Sequence, residues 1–258
     1  MNEPVVTKLH YELKLSSELD FDNPPTLEQD LSDFNFVLQA GRMEVTMKRE
    51  VETEIEARSI VDPYLRSWEL DHFLMTGRRE FWFEFNNSVI IDKSPTRPGD
   101  KVIHAGLGEV ILLSDEVSCK LTKKNYPVPN FSLSITPDVE TLVNRYEGFT
   151  KKKEPLLSMA YFCLTVMEAS GGNLEAASLK FNIQKDVLKK LGELTSKRGD
   201  MTESRKVKGR TSFEPLTTKE IDWINAVIRN LIRRKAEYDH DPTGSYSLID
   251  LAALPSLS

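Results

Sequence analysis

The stretch PLLSMAYFCLTVMEAS, residues 155–170, is apolar on most of the faces that a helix would present. A helix of that kind has no solvent side, so it needs neighbours all round and predicts the central member of a bundle. The flanking sequence supplies them. Pro137, Asp138 and Glu140 open VETLVNRYEGF with a proline and acids in the first turn, where the helix dipole favours them. KKKEP at 151–155 is a charged break, and Gly171, Gly172 and Asn173 close the apolar helix as C-terminal glycines do. NLEAASLKF and QKDVLKKLGELTSKR read as two further helices. After the polar loop RGDMTESRKVKGRTSFEP comes TTKEIDWINAVIRNLIRRKAEY, threonine-capped, with Ile221, Ile224, Val227, Ile228 and Leu231 on one face. A short tail follows DPTGS, and its Leu248, Ile249, Leu251 and Leu254 are expected to dock on the body.

The first half has a different period. Leu9, Tyr11, Leu13 and Leu15 alternate with polar residues, as do Phe34, Phe36 and Leu38, then Met43, Val45 and Met47. This period of two marks half-buried strands, with AGR around Gly41 as a hairpin turn. Residues 51–76 switch to helical spacing through Ile60, Val61, Tyr64, Leu65, Trp68, Phe73 and Leu74, and Pro63 should start or kink that helix. Strand patterns return in REFWFEF, SVIID and KVIHAGLGEVILLSD, the last two separated by the loop KSPTRPGD. The fold class expected is therefore α+β: a β-rich N-terminal domain with one long helix over residues 1–135, then an all-helical bundle of four or five helices with a C-terminal tail over 136–258.

Composition excludes several classes of protein. With 258 residues, 40% of them hydrophobic, the chain can bury a core without disulfides or metals. Cys119 and Cys163 sit in EVSCKLT and AYFCLTV, surroundings that suit reduced, buried thiols in a cytoplasmic protein. No apolar run approaches the ~20 residues needed to span a bilayer, so no membrane partner is expected. The formal charge of −6 is unevenly distributed: residues 1–148 carry 16 basic and 26 acidic side chains, and 149–258 carry 18 and 14. The helical half is where a polyanionic partner would bind.

No catalytic residue is marked by its neighbours. GxSxG, GxxxxGK[ST] and GxGxxG are all missing, and Gly106-Leu107-Gly108 reads as a bend or bulge. The four histidines, His10, His72, His104 and His240, have no cysteine or second histidine at metal-ligand spacing. Glu69 and His72 form one Glu-x-x-His, whereas di-iron bundles require the motif twice. Neither a metal nor a cofactor is expected.

Between Ala176 and Leu191 the pattern fits a helix-turn-helix. Ser178 is small where the helices must approach, Asn182 suits a left-handed turn, and Phe181, Ile183, Leu188 and Leu191 fall at core positions. From Lys180 to Arg210, ten basic residues outnumber four acidic ones. Lys180, Lys185, Lys189, Lys190, Lys197, Arg198, Lys206, Lys208 and Arg210 are thus the candidate surface for a nucleic acid or partner. The same strip is also what a solvated helical corner looks like, and only Gln184 in the second helix is well suited to reading base edges.

The order of parts in 150–236, PLLSMAYFCLTVME, then LGELTSKRGDMTESRK, then PLTTKEIDWINAVIRNLIRR, resembles the HEPN superfamily of four- or five-helix domains. That resemblance implies bacterial toxin, antiviral or RNA-processing settings, such as defence or stress. Active members carry Arg-x(4–6)-His and cleave RNA without metal; Arg198 matches the arginine, but GDMTESRK follows it and no histidine lies in the window. Without an imidazole there is no group near neutrality to move the proton. The resemblance therefore implies a non-catalytic member. Three classes remain open: a non-enzymatic interaction protein whose partner is RNA, another protein or a second copy in a homodimer; a helix-turn-helix DNA-binding regulator; and a metal-independent RNase of HEPN type.

Overall fold

The computed structural model of the chain describes residues 4–92, 121–199 and 214–257. The loop KSPTRPGD, the run KVIHAGLGEVILLSD with His104 and Gly106 to Gly108, Cys119, and the cations Lys206, Lys208 and Arg210 lie outside the described residues. The fold is α+β, an antiparallel sheet followed by helices. It divides into two units, Met1–His72 with Arg79–Phe131, and Phe73–Arg78 with Ser132–Ser258.

In the first unit, the alternating runs become β1 (Pro4–Leu15), β4 (Phe34–Gln39) and β5 (Arg42–Met47), joined in one sheet with β3 (Leu27–Asp30) and β6 (Phe81–Asp92) in the order β3-β4-β5-β1-β6. AGR is the β4–β5 hairpin turn, with Ala40 and Gly41 both at positive φ. REFWFEF and SVIID, expected as two runs, belong to the single strand β6. The β1–β6 register shifts beside Asn86, pairing Tyr11 with Phe85 but His10 with Asn87, so the alternation changes phase without the strand ending. Sequence patterning missed β2 (Leu19–Phe21) and β7 (Leu121–Lys123), a parallel pair too short to show a period.

One face of the sheet packs on α1 (Glu54–Thr76). Thr53 caps this helix, its hydroxyl accepting from the Glu56 amide, so the helix starts well before Pro63 and runs through it. Trp68 is fully buried at the centre, stacked on Phe36 at 6.0 Å and tilted against Phe83 at 5.1 Å. Such aromatic pairs each contribute roughly 0.5–1.5 kcal/mol beyond the area they bury.

The second unit contains α2 (Pro137–Thr150), α3 (Leu156–Gly171), α4 (Leu174–Lys180), α5 (Lys185–Lys197) and α6 (Thr218–His240). Helix α3 is the predicted central helix: it touches α2, α4, α5 and α6, and Leu157, Met159, Ala160, Cys163 and Met167 are wholly buried. Burial pushes the Cys163 thiol up to about 12, which keeps it protonated and inert. Helix α6 begins with a complete capping box between Thr217 and Glu220. Of the tail residues expected to dock, Ile249 and Leu254 are buried, whereas Leu248 and Leu251 face solvent.

Gly171 is required by the close approach of α3 to α4. A Cβ there would stand 2.5 Å from both the N and Cα of Ala177, which are backbone atoms that cannot swing aside. Gly171→Ala is expected to destabilise the chain by about 1–3 kcal/mol, the cost of overpacking, despite alanine's better helix propensity. Urea denaturation measures this; a stabilised variant would contradict the packing described.

Candidate functional site: the α4–α5 corner

The corner is built from short-range rules. Asn173 caps α4, accepting from the Ala176 amide, and the helix ends where Asn182 adopts φ 47°. The Ser178 hydroxyl donates to the Ile183 carbonyl at 2.6 Å, which fixes the turn. Phe181 and Ile183 point into the core, and Val187, Leu188 and Leu191 seal the inner face of α5. Phe181, Ile183, Leu188 and Leu191, expected at core positions, are all buried.

The tail crosses this corner as a strap. Ile249 pairs with Ile183 in a parallel bridge, the Gln184 amide donating to the Ile249 carbonyl at 2.8 Å and the Ile249 amide donating to the Asn182 carbonyl at 3.1 Å. The Asn182 side-chain amide donates to the Tyr246 carbonyl at 2.8 Å, and the Gln184 side-chain oxygen accepts from the Leu251 amide at 3.0 Å. Gln184, the residue best suited to reading a base edge, is therefore engaged by its own chain.

Beneath the strap lies Arg234, 3% exposed. Its guanidinium donates to the carbonyls of Phe181 and Asn182 in the turn and of Ser247 in the strap, and to Glu237 within α6 at 3.0 Å. The Tyr246 ring covers it at 5.1 Å. Within the cationic run RRK at 233–235, Arg234 and Lys235 are buried and not presented to solvent. Lys235 is held by Asp239 at 2.6 Å and Asp138 at 3.5 Å.

Of the predicted surface cations, the six among the described residues lie along the outer side of the same corner. Lys180 donates to the Ser170 carbonyl at 2.7 Å and stands 4.9 Å over the Tyr238 ring. Lys185 pairs with Glu175 at 2.9 Å, Lys189 with Asp186 at 3.7 Å, and Lys190 and Lys197 both with Glu193, at 3.3 and 3.1 Å. These lysines hold the Glu193 carboxyl below its usual range, and Lys185 does the same for Glu175. Arg198, at the end of α5, is bound by Glu214 and, at 3.0 Å, by Glu220. Next to it the Gly199 amide donates to the Glu214 carbonyl at 2.9 Å.

Elsewhere, Glu69 and His72 do not converge. Glu69 accepts from the Phe83 amide at 2.8 Å, and burial raises its carboxyl pKa, while His72 meets Glu80 at 2.7 Å. His240, in the last turn of α6, lies 3.4 Å from the Ser134 hydroxyl. Among the described residues, no group of three His, Cys, Asp or Glu side chains gathers into an ion site, and no helix is long and apolar enough to cross a membrane. Comparison of the chain with protein families, characterised proteins and solved structures gives no match.

Glu80 joins α1 to β7 in the first unit, accepting from His72 and, at 2.6 Å, from Lys123. Burial opposes its charge, yet these two hydrogen bonds hold its pKa below the ordinary 4.5. A depressed folded-state pKa contributes stability that is present above pH ~4.5 and lost as pH falls through the lowered value. Thermal unfolding between pH 6 and ~3 should show this loss in the wild type and a flatter profile in Glu80→Gln, which at neutral pH loses roughly 1–3 kcal/mol. An unchanged profile in the variant would dismiss the ion cluster as a determinant of acid stability.

Proposed function

We propose that the protein is a non-enzymatic, cytoplasmic interaction protein whose helical unit contacts RNA or a protein partner through the basic outer face of the α4–α5 corner. The observation that carries this is the one-sidedness of α5. The side chains of Lys185, Lys189, Lys190 and Lys197 keep 40, 58, 38 and 72% of their exposure, while the opposite face of the helix is sealed in the core. Their carboxylate partners are exposed too, by 44–69%, and ion pairs of that kind contribute only ~0–1 kcal/mol each. Phosphates or a partner's carboxylates can therefore replace them at small cost. Lys206, Lys208 and Arg210 extend the strip in sequence.

The left-handed Asn182 and the sealed core of the corner favour a second reading, a helix-turn-helix regulator of DNA. Weighing against it is the strap, because a recognition helix must bring its N-terminal end to base edges, and here Gln184, the residue just ahead of α5, is bonded to Ile249 and Leu251. For the RNase reading, the arginine implied by the HEPN resemblance is Arg198, and two carboxylates already bind it.

Fluorescence anisotropy of labelled single-stranded RNA and duplex DNA over a salt series separates these readings. If three lysines each neutralise one phosphate of a single strand, replacing Lys189, Lys190 and Lys197 by alanine should lower the magnitude of the log K against log salt slope by about 2. An unchanged slope removes α5 as an RNA-binding face. Tighter, sequence-dependent binding to duplex DNA would support the regulator, and RNA cleavage abolished by Arg198→Ala would support the nuclease.

A further inference from the structure

The strap is held to the corner mainly through its backbone: the carbonyls of Tyr246, Ser247 and Ile249 accept, and the amides of Ile249 and Leu251 donate. The partners of these groups belong to the corner and α6: the Asn182 side chain and carbonyl, the Arg234 guanidinium, and the Gln184 amide and side-chain oxygen. Between Tyr246 and Leu251 only the Ile249 side chain is buried, while Leu248 and Leu251 stay 50 and 43% exposed. Recognition of extended backbone by pairing, with a pocket for one alternate side chain, is how proteins capture peptide segments by strand addition.

We propose that the α4–α5 corner is a receptor groove for an extended peptide. Residues 246–251 fill it in cis, and a protein partner presenting an extended segment with an aromatic residue three positions before an aliphatic one fills it when the strap leaves, in the manner of Tyr246 over Arg234 and the buried Ile249. The fixed half of the groove is rigid: Phe181 and Ile183 are wholly buried, and Arg234 is anchored to the turn independently of Ser247. The movable half follows Asp241-Pro242-Thr243-Gly244, a turn closed by the Gly244 amide on the Asp241 carbonyl at 3.0 Å. A partner competes with a tethered copy of its own chemistry, so its apparent affinity is reduced by the fraction of chains with the strap docked.

The probe is a fluorescent peptide with the sequence of residues 245–257, titrated into the 258-residue chain and into its Ile249→Asp variant, whose strap has lost its anchor. Circular dichroism checks that the variant keeps its helices. The variant should bind the peptide saturably and at least about tenfold more tightly than wild type, where the cis strap competes. A peptide carrying the same Ile→Asp change should not bind. A folded variant that fails to bind, or equal binding by both chains, overturns the proposal. If Ile249→Asp does not fold, a protease site inserted between Thr243 and Gly244 of the otherwise wild-type chain replaces it. After cleavage the strap should exchange with the labelled peptide, and a strap that leaves only when the helices unfold overturns the proposal as well. None of these readouts depends on nucleic acid, so their failure is separate from failure of the basic-face reading.

Discussion

A guanidinium cannot shed its charge, and it carries five N–H donors in a fixed plane, so burying one obliges the fold to deliver acceptors to it. Arg234 is buried in the helical unit and meets that demand with carbonyls from the α4–α5 turn and the C-terminal strap, together with a carboxylate one turn along its own helix. Removing such a group's partners costs several kcal/mol, because a buried charge is then left uncompensated. Turn, strap and α6 are therefore tied at a single point, and the corner's shape follows from it. Helix α5 meets the turn at a fixed angle because the carbonyls that precede it are held, and the strap has its register set by the Ser247 carbonyl.

This arrangement separates the two surfaces of the corner. The inner surface, with the end of the turn and the first residue ahead of α5, is occupied by the chain itself. The outer face of α5 stays open and carries the lysines, each beside an exposed carboxylate that moderates its field without burying it. A protein that presented the start of α5 to a groove of DNA would need that end free. One that uses the length of α5 as a charged face would not, and the strap costs it nothing.

Much of this was legible in the sequence. The apolar run at 155–170 placed α3 at the centre because no solvent face could be drawn on it, and the period of two placed β1, β4 and β5. Asn182 and Ser178 gave the turn, since local hydrogen bonds and backbone handedness act over a few residues. The continuity of β6 was hidden because a bulge at Asn86 reverses the alternation midway. The burial of Arg234 is hidden because a cation ordinarily marks an exposed position. Its spacing held a clue: Val227, Leu231 and Arg234 continue one stripe at intervals of four and three, so a cation stood where the buried face predicts an apolar residue. Docking of the tail is legible in its apolar residues, but its place on the α4–α5 corner is not, because the pairing with Ile183 and Gln184 spans more than sixty residues and uses backbone groups that every sequence possesses.

The tie between Arg234, the turn and the strap is tested most directly by amide hydrogen exchange read residue by residue. In the wild-type chain the amides of Gln184 and Ile249 should both be protected. In Arg234→Lys, where an ammonium replaces the planar fork, both should lose protection together while the amides of α3 keep theirs. An Ile249 amide that exchanges at the solvent rate in the wild-type chain would contradict the account, since the strap would then not be docked on the corner at all.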